Sequence, residues 1–274
     1  MTEVAATLRD AAQRLAGVSD TPRLDAELLM AHALGAERQA LLLDPSRFDV
    51  PTEFSALVGR RLMHEPVAYI LGYRDFWTIR LKVGPGALIP RPDSETLIEA
   101  AAGHFGADTP ALILDLGTGP GTLLLAALAE WPRATGLGID ASDAALAYAR
   151  ANADALGLVD RSEFRSGDWS AGVEGQFDLI LCNPPYIADC EELMPDVAGH
   201  EPRDALFAGG DGLDDYRRII PDLPRLLAPG GVAILEIGHT QHMSVRELAE
   251  TAGFKVACRQ DLGGRDRALL LTRA

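Results

Sequence analysis

The 274-residue chain is 47% hydrophobic and 24% charged, which excludes intrinsic disorder and leaves room for two cores, one large and one small. Its formal net charge of −15 is uneven: residues 1–90 hold 10 basic and 11 acidic side chains, residues 91–274 hold 15 and 29. So acidic a second part repels the phosphate backbones that dominate nucleic-acid affinity, and a direct nucleic-acid partner is not expected.

From Thr2 to about Gly72 apolar residues recur at helical spacing, as in Leu24, Leu28, Leu29 and Ala33, or Leu57, Leu62, Tyr69 and Ile70. Breaks at GVSDTP, LLLDPSRFDVP and HEP cut this stretch into four or five short helices, a small bundle assigned to residues 1–73. In DFWTIRLKV, Phe76, Thr78, Arg80 and Lys82 alternate with Trp77, Ile79, Leu81 and Val83 at the period of a half-buried strand, and Gly84-Pro85-Gly86 turns the chain. Residues 74–92 are therefore expected to form a β-hairpin linker. Asp93 or Ser94 then caps the helix SETLIEAAAGHF, which opens a domain over residues 93–274.

After Pro110 strands alternate with helices. The strands are ALILDL, ATGLGID, SEFRSGD, FDLILCN and GGVAILEIG; the helices are TLLLAALAEW, SDAALAYARANADALG, DDYRRIIPDLPRLLA and TQHMSVRELAETAG. This alternation predicts an α/β domain, a mostly parallel sheet covered on both faces. The tail KVACRQDLGGRDRALLLTRA adds two strands around a Gly-Gly turn, for a seven-stranded sheet. The longest apolar run, Leu123 to Ala129, falls short of the roughly 20 residues of a membrane span, and no basic-then-apolar leader is visible. No membrane partner and a cytoplasmic location are expected. Cys182, Cys190 and Cys258 lack CxxC spacing, and His239 and His242 lack the i, i+4 spacing of a helical metal pair, so no metal is expected.

In ILDLGTGPGT, Gly117, Thr118, Gly119, Pro120 and Gly121 join a strand to a helix. Glycines let the backbone approach a ligand, and free amides at a helix start favour polar or anionic groups. Thr122 stands where a dinucleotide fingerprint requires glycine. Asp140 ends the second strand, where a carboxylate accepts both hydroxyls of a ribose, and Asp168-Trp169 ends the third, an acid and a ring suited to adenine. Asp115, before the glycines, either meets an ammonium group or caps the loop amides. S-adenosylmethionine fits this set better than a dinucleotide.

Asn183-Pro184-Pro185-Tyr186 ends the fourth strand. Each residue before a proline is held extended, and a proline carries no amide hydrogen. The Asn183 side-chain oxygen and the Pro184 carbonyl thus form a fixed pair of acceptors whose natural guest is an –NH₂ group. By accepting both hydrogens they orient the nitrogen lone pair toward a sulfonium methyl and favour the pyramidal nitrogen of the transition state. Tyr186 is placed to stack on a flat group. The competing reading, a polyproline turn for a proline-binding partner, leaves the glycine loop and Asp140 unexplained.

HEPVAYILGYRDFWTIRLKVGPGALIPRPDSETLIE, DLGTGPG, NPPYI and HEPRDALFAGGDGLDDYRRI together resemble the HemK/PrmC methyltransferases, from about residue 20 to the C-terminus. That resemblance implies a Rossmann-like class I methyltransferase domain after a helical domain that helps hold the protein substrate. It implies methyl transfer from S-adenosylmethionine, without a metal, to the side-chain nitrogen (N5) of the glutamine in the Gly-Gly-Gln loop of class I peptide chain release factors, modulating translation termination, by a monomer. Gly117 to Gly121, Asp140, Trp169 and Asn183 match the family's cofactor positions, and Asn183 to Tyr186 its glutamine pocket. Pro90-Arg91-Pro92 matches a block near the active site with no role assigned. The chain departs from the family at Asp93-Ser94-Glu95, where many relatives carry Glu-Thr-Glu, and at Pro120. An adenine-N6 methyltransferase acting on DNA or RNA would use the same pocket for a flipped base, but the acidic domain counts against it. A silent scaffold would not need the intact Asn-Pro-Pro-Tyr, and a nicotinamide dehydrogenase would need the missing glycine.

Overall fold

The computed structural model describes residues 3–273; Thr2, where the helical stretch is expected to begin, and the outermost residues of the expected domains lie outside them. Five α-helices come first: α1 Glu3–Leu15, α2 Pro22–Leu34, α3 Arg38–Leu43, α4 Phe54–Leu62 and α5 Val67–Leu71. Val4, Leu8, Ala11 and Leu15 recur along one face of α1 and bury against Ala26, Leu29 and Met30 of α2, with Phe54 and Val58 of α4 closing the cluster. Each of the larger of these side chains, the Val, Leu, Met and Phe, contributes about 1.5–3 kcal/mol when fully buried, which holds together helices too short to persist alone.

Strands β1 Tyr73–Phe76 and β2 Ile79–Lys82 pair as a two-stranded sheet. The hairpin turns at Trp77 and Thr78 (Trp77 φ 52), with the Trp77 amide donating to Glu95 Oε1 at 2.8 Å. The expected alternation therefore does not run straight through residues 76–83. The turn resets its phase, so that Phe76 buries together with Ile79, Leu81 and Val83.

A 3₁₀ turn, Pro92–Ser94, leads into α6 Glu95–Phe105, and the doubly wound part follows: β3 Leu112–Leu116, α7 Thr122–Glu130, β4 Thr135–Asp140, α8 Asp143–Ala155, β5 Ser162–Ser166 and β6 Phe177–Cys182. After the short α9, Pro195–Ala198, come α10 Asp214–Ile219, α11 Leu223–Leu226, β7 Leu227–Glu236, α12 His242–Thr251, β8 Phe254–Gln260 and β9 Asp266–Arg273. The expected single helix from Asp214 is broken between α10 and α11, because Pro221 and Pro224 remove amide donors. The sheet has the order β5-β4-β3-β6-β7-β9-β8, parallel except for β9, which runs antiparallel to β7 and β8. Successive residues face opposite sides. Ile113, Leu179, Leu181, Val232 and Ile234 pack under the first helical layer, Leu114, Ile180, Cys182, Ala233 and Leu235 under the second. Among the described residues no helix is long and apolar enough to cross a membrane.

Contacts divide the chain into two units: the chain as far as Tyr73 together with Leu193–Glu201, and Arg74–Glu192 with the chain from Pro202 onward. Buried charge explains why Leu193–Glu201 joins the helices. Arg61 of α4, 4% exposed, donates from Nε to Asp25 Oδ2 of α2 at 2.8 Å and from Nη2 to Val18 O at 2.9 Å, and pairs with Asp196 Oδ2 of α9 at 2.7 Å. His64 Nδ1 lies 3.0 Å from Asp196 Oδ1.

Candidate active site

Strand register sets the site. Leu116 of β3 pairs with Ile139 of β4 on one side and Cys182 of β6 on the other, and Asp140 pairs with Ser166. Gly117, Asp140 and Asn183 consequently stand together on the carboxyl edge, at the β3–β6 junction where the strand order reverses, the place where open α/β sheets bind ligands. A cavity of about 500 Å³ opens there, within the ordinary range for small-molecule sites. Gly117, Thr118, Gly119, Pro120, Asp140, Asp168, Trp169, Asn183 and Pro185 line it. Gly121 is set back as the N-cap of α7, and Pro184 and Tyr186 are not among its lining residues.

The glycine loop does not offer the expected free amides. Gly117 N and Thr118 N both donate to Ile139 O at 2.9 Å, Gly119 N donates to Asp140 Oδ2 at 2.7 Å, and Gly121 N to Thr118 O at 2.9 Å. Folded against a neighbouring strand end, the loop satisfies its donors locally. What glycine supplies at 117 is space: φ is 73, and a Cβ there would lie 2.9 Å from the Trp169 ring. Asp140 also accepts the Ser142 amide at 2.8 Å through Oδ1. Burial raises its pKa against those hydrogen bonds, and each oxygen retains a lone pair for a hydroxyl.

Asp115 does not cap the loop amides; it receives an amide of α7 and a loop hydroxyl instead. Oδ2 accepts hydrogen bonds from Thr118 Oγ1 at 2.6 Å and the Leu124 amide at 3.2 Å, while Oδ1 is buried without a partner among the described residues. Burial pushes its carboxyl up to about 7, and Asp115 lines the cavity. An orphaned carboxylate oxygen there is suited to a cationic donor.

At the end of β5, Trp169 (φ 50) donates from Nε1 to Asp215 Oδ1 at 3.0 Å, and the exposed Asp168 is engaged by Arg218 Nη2 at 2.6 Å. Arg218 also approaches Asp215 at 3.6 Å, so two acids and one guanidinium frame the indole.

Asn183 donates from Nδ2 to Ser94 Oγ at 3.1 Å, and Ser94 Oγ donates to Glu236 Oε2. Ser94 therefore does not cap α6 through its side chain, contrary to expectation, since its hydroxyl is spent on Glu236. Tyr186 donates from its hydroxyl to Glu236 Oε1 at 3.3 Å and packs against the second helical layer. Burial beside that carboxylate pushes the Tyr186 hydroxyl well above its ordinary value. The segment beyond it is buttressed by LFAGGDG: Ile187 N donates to Leu206 O, Ala208 N to Ile187 O, and Gln241 Nε2 to both Tyr186 O and Gly212 O. Gly212 has φ 71, and a Cβ there would lie 2.3 Å from Tyr186 O. Gly212→Ala is expected to add roughly 1–3 kcal/mol of backbone strain in addition to that clash. Thermal melting should show a lowered midpoint, and turnover should fall with it; an unchanged melt and rate would refute the buttress.

Sequence reasoning missed Ser94, Glu236, Asp215 and Arg218 as parts of this site. A signal existed for Glu236, the one charged residue in the apolar run VAILEIG. The others lie in PRPDSE and DDYRR, polar stretches in which local pattern distinguishes no pocket residue and Ser94 reads as a helix cap.

Known proteins are similar to this chain over most of its length. A family profile described as the PrmC N-terminal domain matches residues 6–72, and one described as a methyltransferase small domain matches residues 94–200. A curated release factor glutamine methyltransferase of Rhodospirillum rubrum is 47% identical over 266 residues, 95% of this chain and 81% of that one. Another, of Cereibacter sphaeroides, is 46% identical over 268 residues, 95% of both chains. Among solved structures, a ribosomal protein L11 methylase of Lactobacillus delbrueckii subsp. bulgaricus has a TM-score of 0.51 at 22% identity, covering 67% of this chain and 80% of that chain, a likeness of fold.

Proposed function

The chain belongs to the release factor glutamine methyltransferase family, and on that premise we propose that it transfers a methyl group from S-adenosylmethionine to the side-chain nitrogen (N5) of the glutamine in the Gly-Gly-Gln motif of class I peptide chain release factors. Its sheet is that of a Rossmann-like class I methyltransferase. The observation that carries the assignment is the Leu116–Cys182 register, which brings the glycine loop to one cavity with Asn183 and Pro185 of Asn183-Pro184-Pro185-Tyr186.

The residues present fit the cofactor. Asp115 Oδ1 lacks a donor that an ammonium group supplies, Asp140 has lone pairs for ribose hydroxyls, and Trp169 with Asp168 is suited to the adenine. Gly117, Thr118, Gly119 and Pro120 shape the wall, with Gly121 behind them as the N-cap of α7, and Asn183 lines the same cavity. When bound, S-adenosylmethionine supplies an electrophilic sulfonium methyl. Asn183 Oδ1 and the Pro184 carbonyl accept the two hydrogens of the glutamine amide, which turns a delocalised lone pair toward the methyl. Pro185 stiffens that pair of acceptors and Tyr186 anchors it through Glu236. Orientation of this kind supplies roughly 7–11 kcal/mol of barrier reduction, so no strong base is required before attack. The enzyme is proposed to act as a monomer, in the cytoplasm where release factors work.

Labelled S-adenosylmethionine, incubated with a release factor and with the same factor carrying a Gln→Ala loop, tests the reading. Label is expected on the first only; label on DNA or RNA instead would overturn it. A second expectation concerns Asp115. Its folded pKa is raised, so its carboxylate penalises the ligand-free protein increasingly as pH climbs from the ordinary aspartate value toward about 7. Asp115→Asn should therefore raise the melting temperature of the ligand-free protein at pH 8. Losing a charge-assisted hydrogen bond, it should weaken S-adenosylmethionine binding about 10- to 100-fold in calorimetry. Unchanged affinity would remove Asp115 from the cofactor site.

A further inference from the structure

Glu236 is 1% exposed at the end of an apolar strand, and its side-chain hydrogen bonds come from two hydroxyls, those of Ser94 and Tyr186. An ionic group in that position is costly to desolvate, and neither neighbour along the strand, Leu235 or Ile237, is polar. The nearby Arg267 is itself engaged by Asp93 and Asp261, at 3.2 Å each. Strand register explains where the carboxylate goes: Leu235 pairs with Cys182, which brings Glu236 beside Asn183.

Direction is the property such a chain of hydrogen bonds carries. A serine hydroxyl has one hydrogen, and an ionised carboxylate only accepts. Above the value of about 7 to which burial raises Glu236, where it is ionised, Ser94 must therefore give its hydrogen to Glu236, and only its lone pairs face Asn183 at 3.1 Å. The group of Asn183 that meets it has to be the –NH₂, and the oxygen is left to the cavity. Without this constraint a primary amide turns about its last bond and presents either end. With its –NH₂ outward, the side chain would repel a guest –NH₂ and welcome a carboxylate.

We infer that Ser94 and Glu236 are positioning residues which lock the Asn183 amide with its oxygen toward the guest nitrogen, and so set the preference for a glutamine carboxamide over the isosteric glutamate. This inference rests on the proposed glutamine pocket and adds to it a determinant of specificity. A site built to accept hydrogens gains selectivity by leaving the wrong guest facing a like group, so the device acts by exclusion as well as by attraction.

The test uses the full chain and a release factor with the loop glutamine intact or changed Gln→Glu, at pH 8, above the value of about 7 to which burial pushes Glu236. Ser94→Ala should lower kcat at least 10-fold while S-adenosylhomocysteine binding, read by calorimetry, stays within about 2-fold. Direct binding should show the Gln-over-Glu preference narrowing by about 10-fold. Ser94→Thr retains the hydroxyl and should restore both, a rescue that a loss of packing would not produce. Wild-type kcat and preference in Ser94→Ala, with Asn183→Ala inactive, would overturn the inference and leave the pocket standing. Wild-type turnover in both variants would instead remove the pocket on which it rests.

Discussion

Asn183→Ala is expected to cut methyl transfer by about 10²- to 10³-fold, the scale of one preorganised contact to a transition state, with the fold and cofactor binding largely intact. The residue is half-buried at the end of β6, and its backbone position is fixed by strand register and two following prolines, so truncation removes a hydrogen-bond acceptor without opening the sheet. The loss should fall on kcat. A glutamine amide binds through several contacts, but only a group that takes a hydrogen from its nitrogen assists as that nitrogen becomes pyramidal. Single-turnover transfer from labelled S-adenosylmethionine to a release factor is the direct measurement, with a melt and S-adenosylhomocysteine calorimetry as controls. Near-normal turnover would refute the role given to Asn183.

Arg61→Ala should destabilise the helical unit by about 3–5 kcal/mol, because removing one partner of a buried ionic group leaves the others uncompensated. Asp25 is 6% exposed and would lose its guanidinium inside the α2–α4 contact, while Val18 O would lose a donor. Hydrogen exchange should speed up in α2, α4 and Leu193–Glu201 together. The double variant Arg61→Met, Asp25→Asn, which restores volume and removes the stranded charge, should recover part of the loss; protection like that of the wild type in Arg61→Ala would dismiss the network. A pH dependence follows from Asp196. Burial raises its carboxyl, but the hydrogen bonds and charges of Arg61 and His64 outweigh burial and hold it below the ordinary aspartate value. Its stabilisation is therefore complete above the unfolded-state value and disappears as pH falls through the lower folded-state value.

Local pattern made much of this structure readable in advance. Parallel strands buried on both faces read as apolar runs, and the chemistry changes where each of them stops, at Gly117 after LILDL, at Asp140 closing GLGID and at Asn183 after LILC, so the strand ends and Asp140 and Asn183 were legible together. The turn at Trp77 was hidden because Phe76 and Ile79 bury on either side of two residues that keep the strand-like alternation. Pairings across long sequence separations were also hidden. Nothing local in VAILEIG states that Glu236 will bond Ser94, 142 positions away, and the spent amides of the glycine loop depend on Ile139 in another strand. His242, Cys258 and Asp266 gather their ligand atoms within 4.8 Å of one another from α12, β8 and β9, a juxtaposition that histidine spacing alone does not disclose.

The ion network around Arg61 draws on residues far apart in the order of synthesis. Arg61 and Asp25 leave the ribosome early, but Asp196 follows Arg61 by about 135 positions, roughly 7–27 s at ordinary elongation rates. During that interval the helices hold a guanidinium with one of its two carboxylates, so the bundle reaches its final charge balance only after β3 to β6 have been made. A fragment ending at Tyr73 would remain in that early state, and its stability would report what Leu193–Glu201 adds.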